Sequence, residues 1–425
     1  MGLLILEKHL IWSGPNAEGG MSFYYYYDAI TWIVGALVLT AVTWFLVTRY
    51  LRARALRRRP RRHNHKLLKR VVKIKRELSR RFLPLGVSKN IHAVGVGLLA
   101  GAAEQYCIQV FVNDATQELW NGSGATPLPG SYNGIPLLLI EMPVAEFLAA
   151  ENTGLPAVLD QYPNGIRERQ EVIIGGISGA NSNLNGQSGT IGYFCTRKSR
   201  FSRLKETHLL SNSHVFADLQ KATVDEGDSI MQPSPGEPGN NRPIGTLVNF
   251  SALKFEGDVN EPNHIDAAIA KLWSSQQHKP LLPFIGAVKG YVNKKDIKIG
   301  EPARKFGRTT GYTVGNIFSI YLDIWIQYDR TRQSAFFENQ LLVEPAAPAC
   351  QKFVAKGDSG SLLVDENQHA IGLIFGGMSE APDTIHSLPD RATIPVVDKP
   401  KRIEGYGVAN PITDVMERLK IELIV

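Results

Sequence analysis

The sequence predicts a mainly β protein in which a turn-rich β body is preceded by a transmembrane helix, a basic helix and a small α/β domain. Three observations predict it. From Val172 onward short apolar strand-like runs alternate with turns, and the chain carries 39 Gly and 24 Pro, a composition suited to turn-rich β architecture. Ala29 through Thr48 is a run of 20 residues without a charge. Between these regions lie three further strand-like runs, at His92 to Leu99, Tyr106 to Val112 and Pro136 to Met142, separated by Gly, Asn and Pro. With 425 residues, 44% of them hydrophobic, the chain can bury more than one core.

Residues 1–28 form a short N-terminal segment without a signal of its own, and Met21 is a second candidate start. Residues 29–48 as a helix reach about 30 Å, the thickness of a bilayer core. Tyr24 to Tyr27 precede the run, and Trp32 and Trp44 lie near its ends, as in an interfacial aromatic belt. A cleaved signal peptide does not fit, because the run is too long and its charge lies on the wrong side.

Residues 49–83 form a basic juxtamembrane arm. Residues 49–81 hold 16 basic side chains against one acid, Glu77; +15 here against +7 for the whole chain leaves −8 for the rest. The high pI therefore belongs to this arm. By the positive-inside rule the arm keeps the C-terminal side in the cytoplasm and the short N-terminus outside. Leu67, Val71, Ile74, Leu78 and Phe82 recur at helical spacing with basic residues on the other faces, which predicts a basic amphipathic helix. Such a helix can adhere to anionic lipid headgroups or simply enforce topology. No aromatic platform or recognition motif accompanies the charge, so nucleic acid is not expected as a partner. Residues 84–153 then read as a small α/β domain without catalytic spacing. Residues 154–170, with two prolines and two glycines between Gly154 and Ile166, read as a linker.

The body, residues 171–425, carries the chemistry. Lys356-Gly357-Asp358-Ser359-Gly360-Ser361 places one serine on a glycine-flanked turn that leads into the apolar run Leu362 to Val364. A serine hydroxyl attacks only when a base takes its proton and N–H groups stabilise the oxyanion, so a histidine and a carboxylate are required elsewhere. His214 follows the apolar run Leu209–Leu210 in Ser-Asn-Ser-His, and Asp266 opens the buried run Ala267 to Ala270. Asp218, Asp225, Asp228 and Asp258 also lie between the histidine and the serine. Asp266 is preferred because Ile265, Ala267, Ala268 and Ile269 supply the packing that fixes an orienting carboxylate.

The chain order His, Asp, Ser separates this set from triads ordered Ser, acid, His or Asp, His, Ser. In that order, and together with Ile371-Gly372-Leu373-Ile374-Phe375-Gly376-Gly377, the motifs resemble those of the trypsin-like, chymotrypsin-fold serine peptidases over roughly residues 170 to 420. The resemblance implies a two-barrel body with the triad between the barrels. It makes Ser359 the nucleophile, His214 the general base and acid, and Asp266 the group that orients the imidazole. The N–H groups of Gly357 and Ser359 would form the oxyanion hole, and Phe353, Phe375, Gly376 and Gly377 would face substrate. Where many members carry a second glycine after the motif, this chain has Ser361. Members that cut after Lys or Arg carry an aspartate where this chain has Phe353, so an apolar or small side chain is expected at the cleaved position.

Ile173-Ile174-Gly175-Gly176 is similar to the new N-terminus that activates digestive members by pairing with the aspartate before the nucleophile, here Asp358. Glu171 and Val172 do not form a basic activation site, so cleavage there is not expected. The resemblance implies a protein or peptide substrate and no cofactor. Cys107, Cys195 and Cys350 are too few for a disulfide framework or zinc site, and His63 and His65 lack companion ligands, so no metal is expected. The sequence sets no oligomeric state and leaves an assembly of copies open. A catalytically silent or latent module that binds partners at a membrane is the alternative function.

Overall fold

The computed structural model describes residues 65–88, 90–99, 105–113, 128–147, 165–184, 187–198, 206–219, 228–237, 240–328, 333–346, 350, 352–378, 385–386 and 405–425. The transmembrane segment 29–48 and the N-terminal half of the basic arm lie outside them. Among the described residues no helix is long and apolar enough to cross a membrane.

The basic helix forms as α1 (His65–Phe82). It is followed by strands β1 (Ile91–Leu98), β2 (Tyr106–Val112), β3 (Ile135–Glu141) and the short β4 (Ala145–Phe147). The next strands are β5 (Ala180–Asn181), β6 (Tyr193–Arg197), β7 (His208–Ser211), β8 (Ser229–Gln232), β9 (Arg242–Phe250) and β10 (Ala268–Leu272), with the one-turn helix α2 (Ser213–Phe216) after β7. The last group is β11 (Pro302–Gly307), β12 (Gly311–Gln327), β13 (Ser334–Pro345), β14 (Leu362–Val364), β15 (His369–Met378) and β16 (Tyr406–Pro411), closed by α3 (Ile412–Leu419) and β17 (Ile421–Leu423).

These strands build the two-barrel body. One sheet runs β17-β6-β7-β10-β9-β8-β5, and a bridge joins Ser178, just before β5, to Thr190, just before β6. Its interior holds Phe194, Leu210, Phe216, Ile230 and Ile269, all fully buried. The second sheet runs β11-β14-β15-β16-β13-β12 and returns to β11 through six pairs from Pro302↔Asn316 to Gly307↔Gly311, a closed six-stranded barrel. Closure leaves no free edge along that part of the sheet.

β12 has 17 residues, more than the barrel uses. Its first residues pair with β11, while Ile320 to Ile324 pair with β1 after register shifts that turn this edge away from the barrel. β2 and β3 continue outward from β1. The strands expected to form a separate domain over 84–153 are therefore an extension of the second barrel. Their near-continuous apolar runs have a physical cause: both faces are covered. Val94, Val110 and Leu139 pack with α1, whereas Ala93, Phe111 and Ile140 join a cluster with Phe337 and Phe375.

α1 also corrects the reading of lipid adhesion. Leu68, Val71, Ile74, Leu78 and Phe82 are buried in the protein, and Leu67 is half-buried at the margin, so the apolar stripe is spent on β1–β3 and not on a membrane. Each buried side chain is worth roughly 1.5–3 kcal/mol relative to exposure. Lys75 goes in with them and pairs with Asp323 of β12 at 2.6 Å. Burial pulls the Lys75 pKa down, and the Asp323 charge opposes that shift. The linker expected over 154–170 is also shorter than its bounds, because Ile166 and Gln170 are packed into the body.

Candidate active site

The end of β7 carries the chain directly into α2, and this short turn aims His214 at Asp266. The imidazole Nδ1 hydrogen-bonds Asp266 Oδ2. The second carboxylate oxygen, Oδ1, accepts the N–H groups of Ser213 (2.7 Å) and His214 (3.3 Å), so both oxygens are committed to the histidine turn. The aspartate is held from behind by its own backbone: Asn410 Oδ1 accepts the Asp266 N–H (3.0 Å), and its amide donates to the Asp266 carbonyl (3.1 Å). Asn212 donates to the same carbonyl at 2.7 Å. Asn410 lies on β16 of the second barrel, so one side chain ties the two barrels together at the acid. Of the four other aspartates weighed in the sequence, Asp258 bonds Asn260 in an exposed loop, and Asp228 accepts from Asn183. Asp218 lies two residues past α2, and Asp225 lies outside the described residues.

The Lys356–Gly360 turn comes from the second barrel and is clamped by Thr190 of the first. Thr190 N–H donates to the Ser359 carbonyl (2.8 Å), and its hydroxyl donates to the Gly357 carbonyl (2.9 Å). Gly357 has φ +102 and Gly360 φ +94, both in the region that favours glycine. A β-carbon at Gly360 would lie 2.2 Å from the Thr190 carbonyl oxygen and 2.3 Å from Ser211 Oγ, so the turn abuts the end of β7 from which His214 follows. Asp358 N–H donates to Ala355 and Gly360 N–H to Ile374. Among the described residues no backbone carbonyl accepts the N–H groups of Gly357 and Ser359. The Ser359 hydroxyl is turned toward the Phe375 carbonyl at 3.4 Å. Ser359 and Asp266 are 0% exposed and His214 is 1% exposed.

Asp358 points inward, away from solvent. Its carboxylate accepts the N–H groups of Thr309 (2.9 Å), Thr310 (3.1 Å) and Ala355 (3.0 Å) and the Thr310 hydroxyl (2.7 Å). The Lys305 ammonium stands 3.3 Å away, with both side chains fully buried. Burial lowers the Lys305 pKa, and Asp358 opposes that shift. The cation that an N-terminus at Ile173 would supply is thus already present, and Ile173 itself is fully buried in the first core. Next to this pair, the buried Arg308 guanidinium bonds Glu237, and its own N–H donates to Thr190 Oγ1 (3.1 Å). Lys305, Arg308, Thr190 and Asn410 are the site residues that sequence reasoning missed. Lys305 alternates with Ala303 and Gly307 on the inward side of β11, and that alternation was the available signal.

The four residues expected to face substrate are not gathered in one pocket. Phe353 packs into the core that holds Val343 and Ile374, against Gly407 and Gly315, and the Lys305 ammonium lies 5.8 Å from its ring centroid. Phe375 packs in a different cluster, 4.8 Å from the Phe337 ring. Gly376 and Gly377 lie on β15 and pair with both β16 and β4. All three cysteines carry free thiols; burial pushes Cys107 up to about 12 and Cys195 higher, and Cys350 is half-buried. Among the described residues no group of His, Cys, Asp and Glu side chains could hold a metal ion.

No protein-family model and no curated protein sequence matches the chain. Among solved structures, it is similar to Thermobifida fusca protease A, with 17% identity and a TM-score of 0.36 over 60% of this chain and 99% of that one. Nocardiopsis protease matches with 17% identity and a TM-score of 0.35 over 60% and 99%. Cellulomonas bogoriensis chymotrypsin matches with 16% identity and a TM-score of 0.33 over 59% and 98%. The similarity is to trypsin-like serine proteases. The chemistry assigned to the site rests on the residues described above.

Proposed function

We propose that the chain is a membrane-anchored serine endopeptidase that cleaves protein or peptide substrates through His214, Asp266 and Ser359. The observation that carries this reading is the buried His214–Asp266 pair, oriented by five further hydrogen bonds and set at the strand end against which the Ser359 turn packs. In the reaction His214 takes the proton from Ser359 Oγ as the hydroxyl attacks the scissile carbonyl. The N–H groups of Gly357 and Ser359 receive the oxyanion, and the imidazolium returns the proton to the leaving amine. Water then attacks the acyl ester with His214 again as base. Ser359 must first rotate from the Phe375 carbonyl toward the imidazole. The expected preference at the cleaved position is for an apolar or small side chain, and strong Lys/Arg selection in a peptide library would remove it.

A fluorophosphonate probe tests the nucleophile. Labelling of the wild type that is lost in both Ser359→Ala and His214→Ala supports the reading. Unlabelled protein with a native circular dichroism spectrum favours the second reading, a latent or silent binding module, for which the buried site and the orientation of the Ser359 hydroxyl speak. The membrane anchor is proposed from the uncharged run 29–48 and the basic residues after it. Reporter fusions at both ends test the orientation, and a C-terminus outside the cytoplasm would overturn it.

A further inference from the structure

The edge of β15 beside the nucleophile is already covered by the chain itself. β4 lies antiparallel on it, with Phe147 opposite Gly376 and Glu146 opposite Gly377, while its other edge runs parallel to Ile326 and Gln327 of β12. These glycines are the positions at which the sequence expects substrate backbone. A β-carbon at Gly376 would stand 3.3 Å from the Glu146 carbonyl oxygen, so β4 makes the close approach that a glycine there permits. Glu146 Oε2 reaches Lys356 Nζ at 3.7 Å, next to Gly357 of the nucleophile turn. Ala145 is fully buried in the cluster that holds Phe375.

We propose that Ala145–Phe147 is a built-in occupant of the peptide-binding edge, so that the enzyme is held closed by its own strand and an extended peptide must displace it to be cleaved. This rests on the peptidase reading of the same site. Strand addition to a sheet edge draws its affinity from main-chain hydrogen bonds, which any extended peptide can supply, so β4 and a substrate compete for the same Gly376–Gly377 groups. The strand is three residues long and its ion pair with Lys356 is half-exposed, so its release is a local opening that leaves the barrels folded.

The test uses the full chain and the rate of fluorophosphonate labelling at Ser359. Glu146→Pro places a residue without an N–H at the centre of β4 and should raise the rate about tenfold. Glu146→Lys, which sets two ammonium groups against each other at a half-exposed position, should raise it several-fold. A synthetic peptide, acetyl-Pro-Val-Ala-Glu-Phe-amide, should slow the variants again. Should Glu146→Pro not fold, Glu146→Lys and the wild type in urea decide. A wild-type rate that climbs before tryptophan fluorescence changes supports the occupant, and a flat rate overturns it. Equal labelling of all folded proteins overturns the occupant and leaves the peptidase reading standing. No labelling of any folded protein removes both.

Discussion

Replacing Lys305 by methionine keeps the apolar stem of the side chain and deletes the ammonium paired with Asp358. Both side chains are fully buried, and removing one partner of such a pair commonly costs 3–5 kcal/mol because a charge is left without compensation. Asp358 keeps three backbone N–H donors and the Thr310 hydroxyl, which places the expected loss at the lower end, about 3 kcal/mol. Asp358→Asn in the same chain removes the uncompensated charge, so the double variant should be more stable than the two separate losses predict, with a coupling of about 2 kcal/mol. Urea unfolding of the four proteins followed by fluorescence gives the cycle. Because the carboxylate fixes the turn between Ala355 and Thr310, Ser359 labelling should fall with Lys305→Met. A single-variant loss below about 1 kcal/mol, or strictly additive losses, would refute the view that this pair holds the nucleophile turn.

Three further outcomes are expected. Asn410→Leu removes the acceptor of the Asp266 N–H and one of the two donors to its carbonyl, and should cost about 1–3 kcal/mol, with slower Ser359 labelling; unchanged labelling would show that the acid is held without it. Gly192→Ala would set a β-carbon 2.1 Å from the Gly360 carbonyl oxygen, so the turn must move, and both stability and labelling should drop; normal thermal unfolding of this variant would contradict the packing. Burial pushes Glu344 up from 4.5 to about 7, so the folded protein keeps a proton that the unfolded chain releases. Stability should then fall as pH rises from about 4.5 to 7, by on the order of 3 kcal/mol, and Glu344→Gln should flatten that slope in urea titrations at several pH values.

Much of the body was legible because its signals are local. Glycines around Ser359, the apolar run before His214 and the buried run after Asp266 each fix their own conformation, and their order along the chain did the rest. What failed was non-local. Periodicity in α1 identifies an apolar face but not what covers it, and the face packs on β1–β3 where lipid was also an option. The strands between His92 and Met142 were visible as strands, yet nothing in them shows that β12, about 200 residues later, supplies their partner edge. Lys305 and Arg308 were missed because their counter-charges, Asp358 and Glu237, are distant in sequence and meet them only after both barrels close.

The long strand shared by the barrel and its extension has a consequence for biosynthesis. Ala93 pairs with Ile324, so β1 must wait for 231 more residues before its edge is covered. At about 5–20 residues per second the ribosome takes roughly 12–46 s to deliver them. During that interval β1, β2 and β3 present apolar side chains on both faces and a row of unsatisfied backbone groups, a combination prone to aggregation. The nascent N-terminal part is therefore a natural client for a holding chaperone, and truncations that stop before residue 311 should accumulate as insoluble chains.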